Sequence, residues 1–324
     1  MSQHPLKSIK KSDSISTGSL LEKRSGTTSG EGQSTRRGIP PWGWLVIGAL
    51  FAVVFYPVIK GLVLTWNGSE EYSHGFLIVP VSLWVIWMKR HQLRKIPFTP
   101  WSGGLAMIIM ALVLHVLASY AAILTLGPLA MILLIHGMVL YFFGPVMYRR
   151  ILFSLLFLFL MVPIPSQIYS AMTIPLQLLV TQISTFIGGV VGIPILRQGN
   201  LIHLPEKTLQ VVQACSGLRS IMALSALSAL FGYLTMDTLV FRTLLFLSSI
   251  PIAIVVNIVR VVLMITGFYF FNYDLTTGII HTVMGLLIFF IALLLLYSLS
   301  LLFAMVEGRA MHKQVSDGAL ENTK

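Results

Sequence analysis

Three side chains with complementary chemistry lie in the last third of the chain: Cys215, Arg260 and His281. A cysteine supplies a nucleophile, and a histidine can serve as general base and then as general acid. An arginine stabilises a thiolate or an oxyanion. Together they describe acyl transfer. Cys215 is the only cysteine, preceded by the alternating stretch Thr208 to Gln213, which reads as a strand. The apolar run Ile221 to Leu234 follows and reads as a membrane helix. A cysteine at such a strand-to-helix junction meets unpaired amides and the positive end of a helix dipole, which favour thiolate. A small buried thiol is the other reading of a lone cysteine, so the placement of Arg260 and His281 decides between them.

Composition dictates what must position these groups. Of 324 residues, 56% are hydrophobic and only 10% charged, against about 25% charged in soluble domains. The chain is an all-α polytopic membrane protein by this measure. Its net charge of +11 does not point to nucleic acid, because the basic residues gather in the N-terminal tail and in short loops between apolar runs, as the positive-inside rule requires. One cysteine leaves no internal disulfide and no multi-cysteine metal site, and no cofactor is expected. Residues 1–41 are polar, basic and rich in Ser, Gly and Thr, and read as a disordered cytoplasmic tail. They lack the apolar core of a cleaved signal peptide, so the first membrane helix would take that part. Residues 42–306 form the membrane domain and 307–324 a cytoplasmic tail.

Apolar runs at Trp42 to Leu64, Phe76 to Met88, Gly103 to Ser119, Ala121 to Phe143 and Ile151 to Val162 give five crossings. The basic cluster from Lys89 to Lys95, and Arg149 with Arg150, mark cytoplasmic loops, whereas the loop from Thr65 to Gly75 carries Glu70 and Glu71 and no Lys or Arg. Residues 166–192 are apolar but interrupted by Gln167, Thr173, Pro175, Gln177 and Thr181. They could span, re-enter or lie at the interface. The charges around Asp237 to Arg242 and at Arg309 and Lys313 agree with the first five crossings only if this segment does not cross. The expectation is therefore about eight spans with both termini inside. Residues 193–213, with turns at Gly199-Asn200 and Pro205-Glu206-Lys207, read as a small extracytoplasmic β-meander before Cys215.

Depth follows from this topology. Arg260 lies eighteen residues beyond Arg242, roughly 27 Å along a helix and nearly the hydrocarbon thickness. His281 falls in the first turn of the last helix. Cys215, Arg260 and His281 thus share the outer level, although an arginine there also snorkels to headgroups and an interfacial histidine is often structural. Lys60 reads as snorkelling, and His115 and His136 as structural. Asn257, three residues before Arg260, is placed to orient it. Gly285, one turn after His281, allows close helix approach. Arg219, four residues after Cys215, either favours the thiolate or pairs with interfacial carbonyls.

At these residues the sequence resembles the exosortases, of the exosortase/archaeosortase family of membrane cysteine transpeptidases. The likeness rests on Ala214-Cys215-Ser216-Gly217-Leu218-Arg219-Ser220, on Asn257-Ile258-Val259-Arg260-Val261, on His281 with Gly285, and on Tyr72-Ser73-His74-Gly75-Phe76-Leu77-Ile78. It extends from about Trp42 to Val306. It implies catalytic roles for Cys215, Arg260 and His281, with Arg219, Asn257, Gly217 and Gly285 in support. It further implies substrates that are secreted proteins bearing a C-terminal sorting signal of the PEP-CTERM type, handled at the bacterial inner membrane in cells that make exopolysaccharide. Membrane lipid is the remaining expected partner. A polytopic transporter or export subunit is the competing class; against it stand the absence of an internal repeat and the gathering of the polar residues at one level rather than across the midplane. A membrane glycosyltransferase would need acidic residues that the spans almost lack.

Overall fold

Transmembrane segments must satisfy their own backbone hydrogen bonds, so apolar runs of this length fold as helices. The structure is a computed structural model, and it describes residues 40–69, 71–121, 123–211, 218–272 and 278–321, with side chains described to Arg309. Two compact units divide the chain at Leu50. The first contributes only the opening of α1 to the described residues; everything below concerns the second. The elements in order are α1 (Pro41–Gly68), α2 (Gly75–Met88), α3 (Arg90–Leu93), α4 (Gly103–Ala121), α5 (Leu126–Phe157), a 3-10 turn (Leu158–Met161), α6 (Ser166–Val190), β1 (Leu196–Gln198), β2 (Leu201–His203), β3 (Thr208–Gln210), α7 (Leu218–Thr235), α8 (Leu239–Phe271) and α9 (Gly278–Glu321). Seven of the described helices are long and apolar enough to cross a membrane, and α2 is a shorter apolar helix. Residues 1–39 of the tail expected at 1–41, and the loop at 273–277, lie outside the described residues.

The count of crossings turns on two places. At Gly144, inside α5, the backbone is non-helical, with φ 83° and ψ 175°. A Cβ there would fall on the Thr99 carbonyl, so only glycine serves, and Pro145 opens the next helix with its φ already set. Before the break α5 runs antiparallel to α4, with Gly104 against Tyr141 and Gly137 against Ile108. After it, the chain runs antiparallel to α2: Lys89 Nζ donates to the Arg150 carbonyl at 3.2 Å, and Ser82 to the Ser154 carbonyl at 2.7 Å. His136, before the break, packs its ring against Tyr148 and Phe159 after it. Two passes therefore meet at Gly144, as the expected pair of crossings requires. Helix α4 runs to Ala121 and α5 starts at Leu126, so the break between them comes later than the single residue 120 that the sequence suggested.

The second place is α6. Its length and hydropathy suit a crossing, yet its two ends share one end of the bundle. Beside its start, Tyr72 donates to the Ile164 carbonyl at 3.4 Å and faces the Tyr169 ring. Towards its close, Ser184 donates to the Ile258 carbonyl at 3.5 Å, and Gly188 lies against Ile195 and Ile265. Tyr72 and Ile258 each lie two residues from a group lining the same cavity, His74 and Arg260. On the buried face formed by Thr173, Gln177, Thr181 and Ser184, Thr173 and Thr181 donate to carbonyls four residues back. Such a helix can lie along the bundle without a water-facing side. With α2 and the two passes of α5 counted and α6 set along the face of the bundle, the described helices agree with about eight passes.

The β-meander is present. Its strands pair antiparallel in the order β1-β2-β3, with Arg197 opposite Ile202 and Ile202 opposite Leu209. Gly199 turns at φ 63°. Ile202 and Leu209 bury their side chains against Val261, Met264 and Ile265 of α8, which seats the sheet over the Arg260 end of that helix. The strand ends at Gln210, short of the expected Gln213.

Helices α7, α8 and α9 pack together through small residues, as membrane helices do. Ser225 and Ser249 bond across α7 and α8 at 3.1 Å. Gly232 lets the Arg242 backbone approach. At the other end from Arg260, the carboxylate of Glu307 accepts the backbone N–H groups of Asp237 and Thr238, holding the negative charge at the N-terminus of α8 where the dipole favours it. Helix α9 continues to Glu321, past the boundary at Val306 that the apolar run suggested.

This arrangement predicts labelling in whole cells on a Cys215→Ala background. Gln167→Cys, in the first turn of α6, and Gln198→Cys, beyond its end, should react with an impermeant maleimide from one side of the membrane, and Gln92→Cys only from the other. Opposite-side labelling of Gln167→Cys and Gln198→Cys would make α6 a crossing and remove the eight-pass account.

Candidate active site

Helix α8 places Arg260 about two-thirds along its length, and α9 places His281 in its first turn. The guanidinium Nη2 lies 2.8 Å from His281 Nε2. Arginine has no acceptor, so Nη2 donates and Nε2 receives through its lone pair. The imidazole N–H is then on Nδ1. The two side chains expected at one level are in direct contact.

Gly285 makes that contact possible. A Cβ at this position would lie 3.3 Å from Nη2 and 3.6 Å from Cζ of Arg260. The guanidinium rests on the glycine, so the close approach foreseen for Gly285 is of a side chain rather than of two helix backbones. Arg260 Nε is buried without a hydrogen-bond partner, which leaves a strong donor in place. Asn257, one turn earlier on α8, is buried.

Around the pair opens a cavity of about 650 Å³. Helix α7 contributes Arg219, Ser220 and Ala223, and α9 adds Thr282, Gly285, Leu286 and Phe289. Cys215 and Gly217 lie outside the described residues. The first turn of α7, where Leu218 and Arg219 follow them in sequence, borders the cavity.

The opposite wall was not foreseen as part of the site. It consists of the last turn of α1, through Trp66 and Asn67, and of the acidic loop that follows, through Ser69, Glu71, Ser73 and His74. The signal lay in the Tyr-Ser-His-Gly segment, whose polar residues have no role in lipid. The loop is pinned by donors on carbonyls that the end of the fifth pass leaves unsatisfied. Trp66 Nε1 donates to Met161 at 3.2 Å, Tyr72 to Ile164, and the His74 ring lies 3.1 Å from both the Leu160 and Glu71 carbonyls. Burial pushes His74 below the usual imidazole range, against the two carbonyls, which favour the protonated ring. Gly75 has no Cβ because the Trp66 indole occupies that space. His115 and His136 are elsewhere: His115 packs on Phe55, and His136 bonds the Ile132 carbonyl. Among the described residues no group of three His, Cys, Asp or Glu is disposed to hold a metal ion.

Two guanidiniums, two imidazoles, a carboxylate and several hydroxyls thus surround one cavity at the end of a helical bundle. The arrangement can bind a polar backbone, donate to a developing oxyanion and exchange a proton. The family model described as transmembrane exosortase (Exosortase_EpsH) matches residues 66–298. No curated protein and no solved structure matches the chain.

The hydrogen bond fixes a tautomer that can be read directly. In ¹⁵N spectra of histidine-labelled protein in nanodiscs, His281, assigned by its loss in His281→Gln, should show a bare Nε2 and a protonated Nδ1. Gly285→Val should displace the guanidinium and move that signal. A protonated Nε2 in the unsubstituted protein would contradict the contact.

Proposed function

The chain belongs to the transmembrane exosortase family, and from that premise we propose that it is a membrane cysteine transpeptidase acting on secreted proteins with a C-terminal sorting signal of the PEP-CTERM type. The observation that carries the proposal is the Arg260–His281 hydrogen bond within a cavity bordered by the start of α7. In this reading Cys215, three residues before the described start of α7, is the nucleophile. The site faces outward from the bacterial inner membrane, at the end away from the basic loops at Lys89 to Lys95 and Arg149-Arg150, and the products serve a surface associated with exopolysaccharide.

The Cys215 thiolate attacks the carbonyl carbon of the scissile peptide bond. Arg260 turns donors to the oxygen as negative charge develops there, which frees the His281 Nε2 lone pair. Nε2 takes up the proton that the Cys215 thiol gives up in becoming the thiolate, and as the C–N bond breaks it passes that proton to the leaving amine, leaving a thioester on Cys215. In the second step His281 accepts the proton of the acceptor nucleophile, which attacks the thioester and releases the thiolate. Arg219, Asn257, Gly217 and Gly285 hold these groups in place.

Substitutions separate the roles. The readout is the mature-to-precursor ratio of a reporter carrying a sorting motif, membrane helix and basic tail, at matched enzyme levels. Cys215→Ala should abolish processing. His281→Gln should leave a residue lower by about 10²–10⁴-fold, the usual worth of general acid–base catalysis. Arg260→Lys keeps the charge but loses the planar fork of donors, and should fail nearly as badly as His281→Gln. Near-normal processing by Cys215→Ala would sink the peptidase reading, and by Arg260→Lys would remove Arg260 from it.

A further inference from the structure

The cavity is not uniform in depth. Its mouth is polar, with Asn67, Ser69, Glu71, Ser73, Arg219 and Ser220. On α9, Leu286 and Phe289 line the same cavity five and eight residues beyond His281, or about 7.5 and 12 Å deeper at 1.5 Å per residue. On α7, Ala223 lies one turn deeper than Arg219 and faces the same space. The floor below the reactive pair is therefore apolar. It is also open at the side. Leu286 is 69% exposed although it lines the cavity, and α9 packs against α7 and α8 on its other faces. In a bilayer that exposed edge faces hydrocarbon, so the crevice runs from the Arg260–His281 pair sideways and downward into lipid.

We propose that Ala223, Leu286 and Phe289 form the subsite for the apolar residues that follow the scissile bond, entered laterally from the bilayer. This rests on the acyl-transfer reading above. The occupant is the start of a substrate's membrane helix. A chain threaded through this cavity changes from polar surroundings to apolar ones within about 12 Å of the reactive pair, and a polypeptide leaving the membrane interface changes character over the same distance. Continuity with the reactive pair selects this occupant over a lipid tail, since the cavity places the polar-to-apolar transition beside the groups that would cut the chain. Ala223 gives the floor its room. Leu286 and Phe289 set the width available to the side chains that descend.

Two measurements on the full chain test the subsite. On a Cys215→Ser background, Leu286→Cys is oxidised against reporters carrying single cysteines on either side of the cleaved bond. Crosslinks should form with residues within two helical turns after the bond, and not with residues before it. Leu287→Cys, equally exposed to lipid but outside the cavity, should give few. No crosslink from Leu286→Cys, crosslinks only to residues before the bond, or equal yields from Leu287→Cys would overturn the subsite. In active enzyme, Leu286→Trp, at a position exposed enough to leave folding alone, should shift preference towards small residues after the bond by about tenfold, the scale on which apolar pockets discriminate size. An equal effect on every reporter would also overturn it. Failure of the acyl-transfer reading is seen separately, as processing that survives Cys215→Ser.

Discussion

A guanidinium held at the edge of hydrocarbon must be given partners, and much of this bundle is explained by how Arg260 gets them. Intramembrane charge is costly. The structure meets the cost with one hydrogen bond to His281, a glycine that lets the planar group lie flat, and a cavity with a polar mouth. Because the donor is an arginine, the histidine's proton is assigned to Nδ1 without further assumption. The same contact ties α8 to α9. Helices α7 to α9 are joined elsewhere by small residues and apolar packing, and at the far end by the Glu307 carboxylate on the Asp237 and Thr238 amides.

Everything else positions that pair or covers it. Glu307 fixes the far end of α8 through two backbone amides, and the sheet weighs on its near end through Ile202 and Leu209. The Trp66–His74 loop is fastened to the end of the fifth pass by side-chain donors on carbonyls that helix geometry leaves exposed. Those bonds are worth most where water is scarce, since an unpaired carbonyl at the interface is penalised in proportion to its desolvation. One loop therefore both caps a helix and forms a wall of the site.

Legibility from sequence followed the strength of the physical constraint. Hydrophobic length and the placement of Lys and Arg are strong constraints in a membrane, and they sufficed for a many-pass helical fold of about eight passes; for 166–192 they left spanning, re-entrant and interfacial readings open, because its apolar length and its polar interruptions point opposite ways. The common depth of Arg260 and His281 followed from counting residues along two helices, and the structure puts them in contact. The meander was legible because Gly199-Asn200 and Pro205 punctuate alternating runs. Harder to read was anything that depends on a side chain meeting a distant backbone. Trp66 and His74 reach carbonyls 95 and 86 residues away, and no local pattern announces such a bond. The partner of Gly285 was likewise hidden: spacing marks a glycine on a helix face, but only packing reveals that a guanidinium sits on it.

The central claim is that acyl transfer passes through Cys215. Its most direct measurement is the mass of the peptide containing Cys215 after the enzyme is mixed with reporter and quenched in acid. The account predicts an adduct equal to the upstream part of the reporter, joined as a thioester and released by hydroxylamine. An unmodified Cys215 in enzyme that is visibly processing reporter would contradict it.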